Sequence, residues 1–151
     1  MAARAVLDTN LLVYGHDRSE PQKQRQALRV LDRAQNTGSG ALTTQILAEF
    51  FAATTRQLSA TLSVDEAADQ VELLARAWPV FDVTAFTVLE ALRGVLTYRM
   101  SYWDAQIWAS ARLNQIPLIL SEDFDAGAII EGVRFVNPFA GDFELDDWLP
   151  E

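Results

Sequence analysis

The chain has 151 residues, half of them hydrophobic and 22% charged, which fits one compact domain and excludes wholesale disorder. No apolar run reaches the roughly 18 residues of a membrane span, and Asp8 and Asn10 break the N-terminal apolar stretch before a secretory cleavage site could follow. The lack of cysteine removes disulfides and thiolate metal sites, the single histidine argues against His-rich zinc centres, and a net charge of −9 argues against indiscriminate nucleic-acid binding.

A reducing, cytoplasmic setting is the expectation from this composition. The charge is unevenly spread. Residues 1–40 hold six basic and four acidic side chains, net +2, whereas the remainder holds six against seventeen, net −11. A local basic face on an acidic protein is therefore possible.

In chain order, Ala5–Leu7 reads as a buried first strand, since it is apolar without alternation. A helix is expected from Pro21 to Ala34, with proline suited to its first turn and Leu28, Leu31 and Ala34 on one face. The cluster Asn36-Thr37-Gly38-Ser39-Gly40 ends it. Ala41–Thr43 reads as a short second strand leading into a helix over Thr44–Arg56. Ser63-Val64-Asp65-Glu66 has capping-box spacing and starts a helix running to Arg76. Trp78–Val83 reads as a third strand, and Pro79 puts it at an edge. Thr84–Arg99 is helical by spacing, and Ser101 caps a further helix to Asn114. Leu118–Leu120 and Val133–Val136 complete about five strands. Strands alternating with helices predict an α/β fold, a mainly parallel sheet with helices on both faces. One domain spans 1–151, with an acidic tail at 141–151 free to project.

Four acids occupy unusual settings in this scheme. Asp8 ends the first strand, and Asp123 follows the fourth. Asp104 begins the helix that feeds the fourth strand, and Glu49 lies one turn into its helix. Ligands of open α/β sheets bind beyond the carboxyl ends of the strands, so these acids can share one rim. Clustered carboxylates repel unless protons or cations intervene, and a hard oxygen-seeking ion such as Mg²⁺ or Mn²⁺ resolves the conflict. Such an ion suits phosphodiester hydrolysis. Singly, each acid has a plainer reading: Asp8 capping the turn that follows it, Glu49 paired with Arg56 or at solvent, Asp104 in a helix first turn, Asp123 and Asp125 in a turn.

The segments Val6-Leu7-Asp8-Thr9-Asn10, Gln45-Ile46-Leu47-Ala48-Glu49-Phe50, Tyr102-Trp103-Asp104-Ala105-Gln106-Ile107-Trp108, Leu120-Ser121-Glu122-Asp123-Phe124 and Val136-Asn137-Pro138-Phe139 together resemble PIN-domain ribonucleases, specifically VapC-type toxins of toxin–antitoxin pairs. The resemblance implies an α/β/α sandwich, Mg²⁺-dependent endoribonuclease activity, dimerisation, and inhibition by a cognate antitoxin. It puts Asp8, Glu49, Asp104 and Asp123 at the catalytic positions, with Asp8, Asp104 and Asp123 as metal ligands and Asp125 as a less certain addition. Ser121 stands where the family often has threonine; it and Asn10 are expected to hydrogen-bond the acids.

Arg25, Arg29 and Arg33 recur every four residues as a basic stripe. This is either an ordinary solvated face or, for Arg25 and Arg29, an RNA-backbone contact. Trp103 and Trp108 read as packing residues before RNA-stacking platforms, and His16 as a loop residue. A non-catalytic PIN-like protein-binding scaffold is the alternative function. A receiver domain is disfavoured because the only lysine, Lys23, lies in the first long helix. Asn10 spoils an Asp-x-Asp phosphatase motif, and no glycine-rich phosphate loop is present.

Overall fold

In a computed structural model, the structure describes residues 3–58, 60–125 and 127–151. The chain runs β1 (Ala5–Leu7), α1 (Thr9–Tyr14), α2 (Pro21–Thr37), β2 (Gly40–Thr43), α3 (Thr44–Thr54), α4 (Val64–Ala77), β3 (Val80–Phe81), α5 (Ala85–Tyr98), α6 (Tyr102–Leu113), β4 (Leu118–Leu120), β5 (Ile129–Ile130), β6 (Val133–Val136) and α7 (Leu145–Trp148). The sheet order is β3-β2-β1-β4-β6-β5, parallel throughout except for the β5–β6 pair. From β1 the chain moves outward to β2 and β3, then returns across the sheet to β4 on the other side. Crossovers leaving β1 in opposite directions bring helices to both faces when they take the usual right-handed sense. The reversal falls between β1 and β4, and Asp8 N donates to Leu120 O at 3.0 Å just beyond their last paired residues.

The central strands are buried because nothing polar interrupts them: Ala5, Val6, Leu7, Ile119 and Leu120 are fully enclosed. Helix starts follow the expected side chains. Ser63 and Glu66 form a reciprocal capping box at α4, and Ser101 Oγ accepts from Asp104 N at α6. Thr43, the last residue of β2, also caps α3, its hydroxyl accepting from Ile46 N at 3.2 Å. Strand and helix therefore join without a loop, which brings the first turns of α3 to the rim.

Two expectations are corrected and two elements are added. The sheet has six strands: Ile129–Ile130, too short to show a pattern, pairs antiparallel with β6 across a Glu131-Gly132 turn. Thr9–Tyr14 is helical, begun by the Asp8 side chain. On α2 the buried line is Ala27, Val30 and Ala34, leaving Leu28 exposed. Segment 141–151 does not project. Leu145 and Leu149 are buried, and Arg33 Nη1 donates to Asp146 Oδ1 at 2.7 Å and to Leu149 O at 2.8 Å. No described helix is long and apolar enough to cross a membrane.

Candidate active site

Four carboxylates from four separate elements meet at the rim where β1 and β4 end. Asp8, at the end of β1, is only 5% exposed. Its Oδ1 accepts from Thr9 N at 2.7 Å, and its Oδ2 accepts from Ser121 Oγ at 2.6 Å. Burial pushes the Asp8 carboxyl up to about 6; these two hydrogen bonds oppose the rise, and the charges of Glu49 and Asp123 add to it. Asp104, in the first turn of α6, is also raised, chiefly by burial, with Ser101 opposing and Asp123 and Glu49 reinforcing. Each raised acid thus feels Glu49 and Asp123.

Ser121, buried at the end of β4, organises the centre. Its hydroxyl donates to Asp8 and accepts from Asn10 Nδ2 at 3.2 Å and from Asp123 N at 3.1 Å. Asn10 Nδ2 also donates to Asp123 Oδ2 at 3.1 Å. Asn10 and Ser121 therefore touch the acids as expected, while Asn10 Oδ1 is buried with no hydrogen-bond partner among the described residues. An orphaned carbonyl oxygen beside clustered carboxylates is costly unless a donor or cation meets it.

Glu49 reaches the rim from α3. Its Oε2 accepts from Thr9 Oγ1 at 3.0 Å and its Oε1 from Gln45 Nε2 at 2.6 Å. Arg56 does not pair with it among the described residues; instead Arg56 lines the same cleft of about 470 Å³ as Glu49, Asn10 and Asp123. The plainer readings of Asp8 and Asp104 hold alongside the clustering, since Asp8 does cap α1 and Asp104 does sit in a first turn.

Sequence reasoning missed the device that braces the β4 loop. Tyr14 OH donates to Glu122 Oε1 at 2.7 Å, and Lys23 Nζ donates to Glu122 Oε2 at 2.6 Å and to Tyr14 OH at 3.1 Å. Burial opposes ionisation of Glu122, but Lys23 and Tyr14 together hold it below its usual range. Lys23 is thereby tied to the loop carrying Asp123, a contact that only distance in the fold could reveal. Asp125 is exposed, and neither Arg25 nor Arg29 lines the acidic cleft.

The donor set is oxygen-only, which suits a hard divalent ion. Among the described residues, no three Asp, Glu or His side chains converge closely enough to enclose an ion by themselves. Mg²⁺ usually takes one or two carboxylates and completes its shell with water and phosphate oxygens, so it does not need three. The unpartnered Asn10 oxygen and the mutually repelling acids fit such a group.

No curated protein sequence matches the chain. Among solved structures, it is similar to a toxin–antitoxin complex from Klebsiella pneumoniae, at 17% identity over 89% of this chain and 98% of that one, with a TM-score of 0.64. It is similar to VapC20 of Mycobacterium tuberculosis, described as a sarcin-ricin loop cleaving toxin, at 18% identity over 84% and 97%, with a TM-score of 0.65. VapBC-1 of nontypeable Haemophilus influenzae gives 15% identity over 93% and 100%, with a TM-score of 0.63. These likenesses show the fold. The PIN domain pattern itself matches residues 5–130, covering β1 through β5 and every acid of the rim, and the chain belongs to the PIN domain family.

Proposed function

We propose that this chain is a metal-dependent endoribonuclease that hydrolyses RNA phosphodiester bonds as the toxin component of a type II toxin–antitoxin pair. The observation that carries the reading is the uncompensated acid cluster at the β1–β4 switch point, with Asp8 buried and raised to about 6 beside Glu49 and Asp123. Membership of the PIN family and likeness to structures described as toxins support the biological assignment.

Asp8, Asp104 and Asp123 would hold Mg²⁺, or Mn²⁺ in its place, directly or through water. When bound, the ion supplies an acidified water and neutralises charge developing on the phosphate. The chain's residues do the positioning. Ser121 and Thr9 N fix both oxygens of Asp8, and Asn10 spans Ser121 and Asp123 so that the loop and strand carboxylates move together. Glu49, held between Thr9 and Gln45, would orient water and take its proton. Arg56, in the same cleft, offers a cation to the RNA backbone, and the exposed Arg25 and Arg29 are candidates for more distant phosphates. A cognate antitoxin and a second copy of the chain are the proposed protein partners. A cytoplasmic site of action accords with an RNA substrate.

The test is cleavage of whole cellular RNA by the purified, partner-free chain with Mg²⁺, with Mn²⁺ and with EDTA, beside Asp8→Asn. Metal-dependent cutting that the variant loses supports the assignment. A folded chain that cuts nothing in any metal would instead be a protein-binding PIN scaffold.

A further inference from the structure

The acidic cleft adjoins a second hollow that the hydrolytic scheme leaves unused. Beyond Glu49, α3, Val83 and the start of α6 line an open pocket of about 650 Å³, its walls mostly apolar and including Ala48, Ala52, Val83 and Trp103. Glu49 and Ala52 line this pocket and the acidic cleft alike, so the two meet along one ridge of α3.

Trp103 is 62% exposed, whereas Trp108, five residues on, is fully buried. Large aromatic side chains usually bury most of their surface, yet this one is held in the open by a built frame. Its ring meets Tyr102 edge-on, with centroids 5.0 Å apart. Its carbonyl accepts from Gln45 Nε2 at 3.1 Å, the same nitrogen that donates to Glu49 Oε1. Gln106 Nε2 donates to Gln45 Oε1 at 2.9 Å, and Tyr102 OH donates to Gln106 Oε1 at 2.7 Å. Both glutamines are buried. One enclosed amide therefore fixes the backbone of the indole and the carboxylate of Glu49 against each other.

Charge is sorted along the same ridge. No lysine or arginine lines the Trp103 pocket, while Arg56 lines the acidic cleft on the other side and has no ion-pair partner among the described residues. A ligand crossing the ridge would present anionic groups towards Arg56 and the acid-bound cation, and a flat uncharged ring towards Trp103. A nucleotide is built that way, with base and phosphate joined through one sugar.

We propose that the Trp103 pocket is a nucleobase subsite, in which a base next to the scissile phosphate stacks on the indole. The assignment rests on the endoribonuclease reading and adds to it a residue that selects and holds unpaired substrate. Stacking on an aromatic face requires a base free of its duplex, so the pocket favours single-stranded or looped RNA.

The experiment compares wild type, Trp103→Ala and Trp103→Phe on whole cellular RNA to map the cuts. Short oligoribonucleotides spanning a mapped cut then follow, with each flanking base replaced in turn by an abasic site. Trp103→Ala is expected to raise KM about tenfold, as base–aromatic stacking typically allows, with kcat little changed and Trp103→Phe largely restored. At one abasic position the wild type and Trp103→Ala should become equal. Unchanged KM in Trp103→Ala, with the wild type still cutting, overturns the subsite and leaves the nuclease standing. A loss that persists at every abasic position also overturns it, because Trp103 then acts through Glu49 or the fold. Capture of a partner protein that depends on Trp103, with RNA kinetics that ignore it, assigns the pocket to protein instead. If the wild type neither cuts nor binds RNA, the nuclease reading fails first and the subsite with it.

Discussion

Two groups of acids in this molecule receive opposite treatment. Glu90 and Glu131, where α5 meets the β5–β6 turn, are enclosed by arginines: Arg93 pairs with both, Arg112 approaches both within 3.5 Å, and Tyr98 OH donates to Glu131 at 2.6 Å. Hydrogen bonds from Arg93 and Tyr98 bring Glu131 down to about 2. At the β1–β4 rim the acids instead meet hydroxyls, amides and one another, and Asp8 rises to about 6. The chain can neutralise carboxylates where it needs only structure. Among the described residues the four rim acids have no ion-pair partner, which is what the proposed metal site requires.

The largest test of that contrast is at its centre. Asp8→Asn keeps the shape of the side chain and is expected to reduce RNA cleavage to background in a single-turnover assay. On the neutralised side, Gly94→Ala places a Cβ 2.8 Å from the ring of Trp108, on which Arg93 also stacks. Overpacking there should cost about 1–3 kcal/mol in denaturant titration, while cleavage per folded molecule stays unchanged. A loss of turnover with unaltered stability would erase the distinction between the two regions.

Ser121→Ala removes the hydroxyl shared by Asp8, Asn10 and Asp123, and should lower divalent-ion affinity roughly 10- to 100-fold, readable by calorimetry without substrate. Protonation gives a subtler measure. Asp8 binds its proton more tightly in the fold than at its ordinary value of 3.8, so the native state holds more protons between about pH 4 and 6. Stability is then greatest below that window and falls by about 2–3 kcal/mol as pH rises through it. Chemical melts in EDTA should show this slope in wild type and lack it in Asp8→Asn, and added Mg²⁺ should raise Tm above pH 6 only in the wild type. The smallest effect is expected from Glu131→Gln: a slight drop in Tm that vanishes at high salt, with cleavage untouched.

What could be read from the sequence was whatever local chemistry decides. Ser101 and the Ser63–Glu66 pair announce their helices because capping is settled within four residues. Leu118–Leu120 and Ala5–Leu7 announce themselves as buried strands by having no polar face. Strand ends put Asp8 and Asp123 on one rim, whereas Asp104 and Glu49 lie on helices and were joined to them by the resemblance. Long-range pairing was not legible. Nothing near Arg33 says that the tail returns to it, and nothing near Lys23 says that Glu122 lies beside it. Nor does composition tell Trp103 from Trp108, since which aromatic faces solvent depends on how α6 is rotated against the sheet.

The two margins of the sheet carry a further consequence. β3 is two residues long and follows Pro79, and β5 is two residues long and folds back through Glu131 and Gly132, both in the left-handed region. Neither offers the run of free amides and carbonyls that a stray strand would need as a template. Recruitment of another chain by strand addition is closed at both ends of this fold, and contact with other molecules is left to side chains of the helices and loops.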